Sequence, residues 1–330
     1  RHLRGNWLAY WEHEIGRNTK DHRLNVKQIK LQSFTGHCGS VRHLVTLASE
    51  NSFMSASRDK TVRLWSLRSQ GDGNHVSPPQ WTYTGHRKSV VALGFVDRLR
   101  LTASCDSVVH LWDPFVGRIV SVVEANRAPP VNALRPLHSP SSTVLCATPD
   151  SVVRSLDART CSYVSELKVA INPSGLIRCM VVSPNSNWLA VGHASGLLTI
   201  LDLRIGRILA SWKAHDAEIL QLAAVDDHTL ISSSLDQAVS VWNATDGKLK
   251  FILKGLTEPV HCLEVYCNEV ISGTTANRIG VHTSITADAS FSSTRLKSDT
   301  LKGVLTSMTI LPLNRLVLLG ADSGNIALIC

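Results

Sequence analysis

Short runs in which apolar and polar positions alternate recur along the whole chain. Each is cut off within a few residues by Gly, Pro, Asn, Asp or Ser, which predicts strands joined by tight turns. The runs also repeat. SFMSASRDKTVRLW (52–65) is matched by RLTASCDSVVHLW (100–112) and by LISSSLDQAVSVW (230–242). Aligned on Asp59, Asp106 and Asp236, each copy has a hydroxyl residue four positions earlier and a Trp six later: Ser55 and Trp65, Thr102 and Trp112, Ser232 and Trp242. Weaker copies centre on Asp150, Ser195, Ala276 and Ser323, so the seven anchors are spaced by 47, 44, 45, 41, 40 and 47 residues. One four-stranded sheet built from such a unit cannot bury both its faces, whereas seven packed radially can. The periodicity therefore predicts a single all-β domain.

Gly36-His37 and Gly85-His86, with Ala214-His215 as a variant, precede the three strong copies, and Trp112-Asp113 closes one of them. In these features the chain resembles the WD-repeat family. The resemblance implies a seven-bladed WD-repeat β-propeller in which His, Ser or Thr, Asp and Trp form a buried hydrogen-bonded tetrad. Carried over, the tetrads are His37/Ser55/Asp59/Trp65, His86/Thr102/Asp106/Trp112 and His215/Ser232/Asp236/Trp242. The residue types suit that role, because a buried carboxylate needs donors, imidazole bridges it to a hydroxyl, and indole N–H supplies the last donor. A Ser, a His and an Asp in every strong copy, and not in one cleft, argue for structure over a catalytic triad. The four weaker blades are expected to rely on packing.

The last copy ends at Cys330 after its third strand, while the strand-like run Val26 to Phe34 has no blade of its own. It is expected to complete the last blade and so close the ring without an exposed sheet edge. This divides the chain into a basic lead-in segment, 1–25, that packs on the propeller or on an upstream domain, and the propeller, 26–330. The apolar stretch Trp7 to Ile15 and the run QIKLQSFTGH resemble the start of the C-terminal propeller of BEACH–WD proteins. That resemblance implies a scaffold acting in endosome–lysosome trafficking, autophagy and restraint of endosomal phosphoinositide 3-kinase signalling. It also implies another WD-repeat protein and a phosphoinositide 3-kinase complex as partners, and a cytoplasmic location, peripheral on endosomal and lysosomal membranes.

Composition narrows the alternatives. Apolar residues make up 44% and charged residues 18%, which excludes a largely disordered chain. The eight cysteines form no C-x-x-C pair and no zinc-type spacing, and are read as reduced thiols. No apolar run approaches the ~18 residues that span a bilayer. The first residue is Arg1, the expectation being a segment of a longer protein. Of the net charge of +8, residues 1–30 hold +4, so a basic arm contacting anionic lipid is the alternative reading from another class. The phosphoinositide signature Phe-Arg-Arg-Gly, phosphate-binding glycine loops and H-E-x-x-H are all missing, and no cofactor or metal is expected. Basic residues are not interleaved with aromatics, which argues against nucleic acid.

A propeller presents its blade-joining loops and anchor turns on one face around a central channel. The residue after the first apolar residue of each inner strand is expected at the channel mouth: Arg42, Val91, Asn132, Arg178, Leu220, His261 and Thr306. Arg58, just before the first anchor, and Arg87 and Lys88, on the loop entering blade two, are expected nearby. Together with Arg42 and Arg178 they would form a basic sector suited to acidic or phosphorylated segments. Two loops stand out by composition, Arg68 to Gln80 on the opposite face and the Ser/Thr-rich stretch from Thr283 to Lys302, expected to be flexible.

Overall fold

The computed structural model describes residues 26, 28–47, 50–67, 76–123, 129–169, 175–313 and 315–330. The lead-in segment 1–25 lies outside these residues. Each predicted repeat forms one antiparallel sheet whose strands pair in chain order. Blade one comprises Val41–Thr46, Ser52–Ser57, Val62–Ser66 and Trp81–Tyr83. Blades two to six occupy 92–123, 133–168, 177–213, 219–252 and 260–295, and blade seven begins at Leu305. The first strand of every blade faces its neighbours' first strands around the ring, and the circle closes from blade seven back to blade one.

The sequence sorts these strands by depth. Second strands such as Thr229–Ser234 are buried throughout because a blade lies on either side, whereas outer strands such as Ser162–Lys168 expose most of their residues. One apolar cluster fills each of the seven gaps between neighbouring blades. No single centre holds the molecule; each interface buries the apolar face of two sheets.

The closing strand is present, although its ladder starts at Lys30 and not at Val26. Lys30–Phe34 runs antiparallel to Ile326–Ile329, pairing Gln32 with Leu328, Ser33 with Ala327 and Phe34 with Ile326. Ile29 and Cys330 exchange backbone hydrogen bonds of 3.3 and 3.2 Å beyond its end. Fully buried Phe34 meets Phe53 and Trp65 of blade one edge-on, at 4.8 and 5.7 Å between ring centroids. One strand thus bonds to blade seven and packs on blade one. A further pairing has no counterpart in the repeat: Val76–Ser77, from the loop following the third strand of blade one, lies parallel to the closing strand as a fifth strand of blade seven. The Gln32 amide donates to the Ser77 hydroxyl across this pair.

The Ser/Thr-rich stretch 283–302 corrects its expectation. It contains Phe291–Arg295, the outer strand of blade six, in register with Arg278–His282. Phe291 packs on the His282 ring at 4.5 Å, and Leu296 and Leu301 are buried beyond it. These three apolar residues secure a segment whose composition reads as loop.

Candidate functional site

In blade one, Trp65 Nε1–H donates to Ser55 Oγ at 2.7 Å, Ser55 Oγ lies 2.7 Å from His37 Nε2, and His37 Nδ1 lies 2.7 Å from Asp59. Blade five repeats the chain through Trp242, Ser232, His215 and Asp236, with a His–Asp separation of 3.0 Å. Burial alone would raise the Asp59 pKa, but hydrogen bonds from His37 and Thr61 outweigh it and hold the carboxyl below its ordinary range. These groups lock the Gly-His loop to the anchor turn and to the third strand.

Blade two departs from this plan, and Thr102 is not its tetrad hydroxyl. Trp112 Nε1–H donates to Ser104 Oγ at 3.0 Å, and Ser104 lies 2.7 Å from His86 Nε2, while Thr102 points to the Met54 sulfur. The cause is the turn. In each tetrad the hydroxyl sits two residues past the cross-strand partner of the Trp: Phe53 for Trp65, Leu230 for Trp242 and Thr102 for Trp112. Blades one and five place a left-handed residue just after the anchor, Lys60 and Gln237, as do blades three, four, six and seven with Ser151, Gly196, Asn277 and Gly324. In blade two the ladder continues to Cys105 and Val109, so the turn is shorter and the hydroxyl lies two positions nearer Asp106.

The weaker blades do not rely on packing alone. In blade three the guanidinium of buried Arg154 reaches Asp150 and Glu166, both at 2.9 Å, and also Thr148. It ties the anchor turn to the outer strand, whereas blades one, two and five lock that turn through His and Trp. At Gly196 and Gly324 a Cβ would stand 2.2 and 2.3 Å from the carbonyl oxygens of His215 and His37, so only glycine lets the next blade's loop approach this closely. The residue that closes the third strand has its own task. Asp113, Asp157, Asp202 and Asn243 each accept the N–H two residues on, at 2.8–3.1 Å, which starts the turn to the outer strand.

At the channel, strand irregularities aim the side chains. Arg42, Arg178, Leu220, His261 and Thr306 each sit at a β-bulge in their inner strand. Arg42, Val91, Asn132, Arg178, His261 and Thr306 line a cavity of about 460 Å³ at the mouth, but in blade five Gln221 lines it in place of Leu220. Deeper in the wall are His43, Arg135 and Glu264, none of which the sequence reading singled out. Burial pushes Glu264 up to about 7 against the opposing charge of Arg135, while burial and Arg135 together press His43 down to about 3. The buried Nδ1 of His43, Nε2 of His261 and Oδ1 of Asn132 have no hydrogen-bond partner among the described residues. These atoms make the upper channel polar and able to take water or a polar side chain.

The five candidate cations do not form one sector. Arg178 is held bidentately by Glu218, at 2.5 and 3.3 Å, and so belongs to an ion pair. Arg42, Arg58, Arg87 and Lys88 are exposed, with no carboxylate within 4.0 Å among the described residues. Ser89 Oγ donates to the Arg58 carbonyl at 3.1 Å, which joins the anchor turn of blade one to the loop of Arg87 and Lys88. Of the five, the unpaired cations are therefore those of blades one and two.

A second cluster lies beneath that loop. His86, Asp106 and His110 are all buried, and their ligand atoms lie within 4.8 Å of one another. Burial and the neighbouring His110 press His86 down to about 4. Hydrogen bonds from backbone N–H groups, Lys88 first among them, overcome burial and bring Asp106 to about 2. No zinc-type spacing announces this group, because pairing across the sheet assembles it. All eight cysteines are free thiols.

The WD domain, G-beta repeat family matches at residues 28–66, 77–113 and 206–243. Each match starts ahead of the outer strand of one blade and ends with the third strand of the next, and together they cover the three tetrads. WD repeat-containing protein 81 of Danio rerio is 41% identical over 333 residues, spanning all of this chain and 16% of that protein. Suppressor of organelle fusion 2 of Caenorhabditis elegans is 30% identical over 306 residues, spanning 92% of this chain and 21% of the relative. Among solved structures, the WD40 β-propeller domain of Doa1 superposes with a TM-score of 0.73 at 16% identity, covering 91% of this chain and 96% of that one. The chain thus spans about a fifth or less of the length of these two curated relatives.

Proposed function

Because the chain belongs to the WD-repeat β-propeller family, we propose that it is a non-catalytic docking platform that captures an acidic or phosphorylated segment of a protein partner on blades one and two. The observation that carries this reading is the group of four exposed cations, Arg42, Arg58, Arg87 and Lys88, which no carboxylate of the described residues neutralises, at and beside a polar channel mouth. Arginine offers a planar fork for carboxylate or phosphate, and unpaired charge is available to a partner in a way that charge held in an ion pair is not. Similarity to WD repeat-containing protein 81 and to Suppressor of organelle fusion 2 supports a place in organelle trafficking. In that setting the platform serves a larger protein that is cytoplasmic and peripheral on endosomal or lysosomal membranes. It acts in autophagy and in restraint of endosomal phosphoinositide 3-kinase signalling, together with another WD-repeat protein.

The test is capture of partners from cytosol by the immobilised chain. Arg42→Glu with Arg58→Glu abolishes capture and leaves the thermal midpoint unchanged, and added salt weakens wild-type capture. Arg178→Ala leaves capture intact, since Glu218 already holds that guanidinium. Capture that survives the double charge reversal overturns the reading.

A further inference from the structure

We propose that blade two carries a buried binding site for one divalent ion of the zinc class, formed by His86, Asp106 and His110. The three residues come from different parts of the blade: the loop before its first strand, the turn between its second and third strands, and the third strand itself. All are at most 9% exposed, and their ligand atoms lie within 4.8 Å of one another. Two imidazoles and a carboxylate are a common zinc ligand set, and three protein ligands leave a fourth position for water.

Blades one and five are built differently at this point. There the His Nδ1 bonds the anchor carboxylate, at 2.7 and 3.0 Å. In blade two the same nitrogen of His86 stands 3.7 Å from Asp106 Oδ2, and this buried atom has no hydrogen-bond partner among the described residues. Ligands around a tetrahedral ion with bonds of 2.0–2.1 Å stand about 3.3 Å apart. That gap is too wide for a hydrogen bond and would close by about 0.4 Å around an ion, while ligand atoms standing as far as 4.8 Å apart would close by about 1.5 Å. The third ligand is equally particular to this blade. Opposite the tetrad hydroxyl, blade one has Arg63 and blade five has Ser240, whereas blade two has His110.

The outer shell is also in place. His86 Nε2 is held by Ser104 and His110 Nδ1 by the Tyr83 hydroxyl, each at 2.7 Å, and Asp106 accepts the N–H groups of Arg87 and Lys88 at 3.0 Å. A partner on one nitrogen of each ring fixes its orientation, as such partners do for metal-bound histidines. A bound ion would clip the loop at His86 to the turn at Asp106, the junction that a direct hydrogen bond makes in blades one and five.

The test strips the 330-residue chain of metal, titrates it with zinc chloride by calorimetry and follows its melting. The wild type is expected to take up one zinc per chain, and its midpoint is expected to rise by about 4 °C with zinc a hundredfold above the Kd. His110→Ser, which installs the residue of blade five, is expected to melt close to the metal-free wild type and to lose both effects. His37→Ala, in blade one, keeps the stoichiometric uptake. Failure of the stripped wild type to bind zinc, or uptake that persists undiminished in His110→Ser because other residues such as the exposed thiols hold the ion, would overturn the proposal.

Discussion

Ser104 is the residue on which the tetrad of blade two turns. Its oxygen accepts the indole N–H of Trp112 and pairs with His86, and all three groups are buried. Ser104→Ala orphans both neighbours, at a cost of about 1–3 kcal/mol. For a chain of this length that lowers the thermal midpoint by roughly 2–4 °C. Thr102→Val is expected to cost much less, since its hydroxyl meets only the weak acceptor of Met54. Melting curves of the two variants separate the assignments, and the reverse order would restore Thr102. Counting back from the aspartate finds Ser55 and Ser232 because their turns are alike, and misses Ser104 because its turn is shorter. Counting from the strand partner of the Trp would have found all three, but a partner is a property of pairing and cannot be read along the chain. The same limit applies to charge: Arg178 is legible as a cation, while Glu218, forty residues on, neutralises it through the fold.

At the scale of elements, the existence of most strands was legible because period-two alternation recurs in every blade, while Val76–Ser77 and Phe291–Arg295 lie in stretches that read as loops. Strand bounds were less legible. The closing strand was foreseen from a blade lacking an outer strand, but its ladder begins at Lys30. Phe291–Arg295 escaped because FSSTR offers one apolar side chain, and the outer position asks for little more. Much of the channel mouth was found for a physical reason that the alternation only hints at, since bulges at Arg42, Arg178, His261 and Thr306 release these residues from the ladder to face the axis, whereas bulged Leu220 gives way to Gln221. The closing strand invites a direct test. A chain beginning at Gly36 loses the Ile326–Ile329 ladder and leaves Phe53 and Trp65 without Phe34, whose removal alone is worth about 3–5 kcal/mol. It is expected to elute from size-exclusion chromatography as aggregate or to melt well below the full chain, and normal behaviour would refute closure by this strand.

For the whole molecule, acidity is the condition to which the buried polar groups answer together. Burial lowers the pKa of His37, His43, His86, His193, His215, His261 and His282, with His86 at about 4 and His43 at about 3 against 6.5 when exposed. Over the window between those values the unfolded chain binds more protons than the folded one. Stability is therefore full above about pH 6.5 and declines as the pH falls toward 4. Asp106, at about 2 against 3.8, extends the decline further. Glu264, at about 7, works in the opposite direction but stands alone against seven histidines. Melts across pH 4–8 should show a plateau above pH 7 and a fall below 6.5, with a shallower fall in His43→Asn. A flat profile would mean that these rings are not held neutral. The ring also has a history in time. Gln32 is made 296 residues before its partner Leu328. At synthesis rates of ~5–20 residues per second the wait is roughly 15–60 s. For that interval the strand has no ladder to join except the brief parallel one at Val76–Ser77, which leaves the ribosome within seconds of it. Phe53 and Trp65, made sooner still, give Phe34 its first partners, so blade one is the shelter for the strand on which completion of the ring depends.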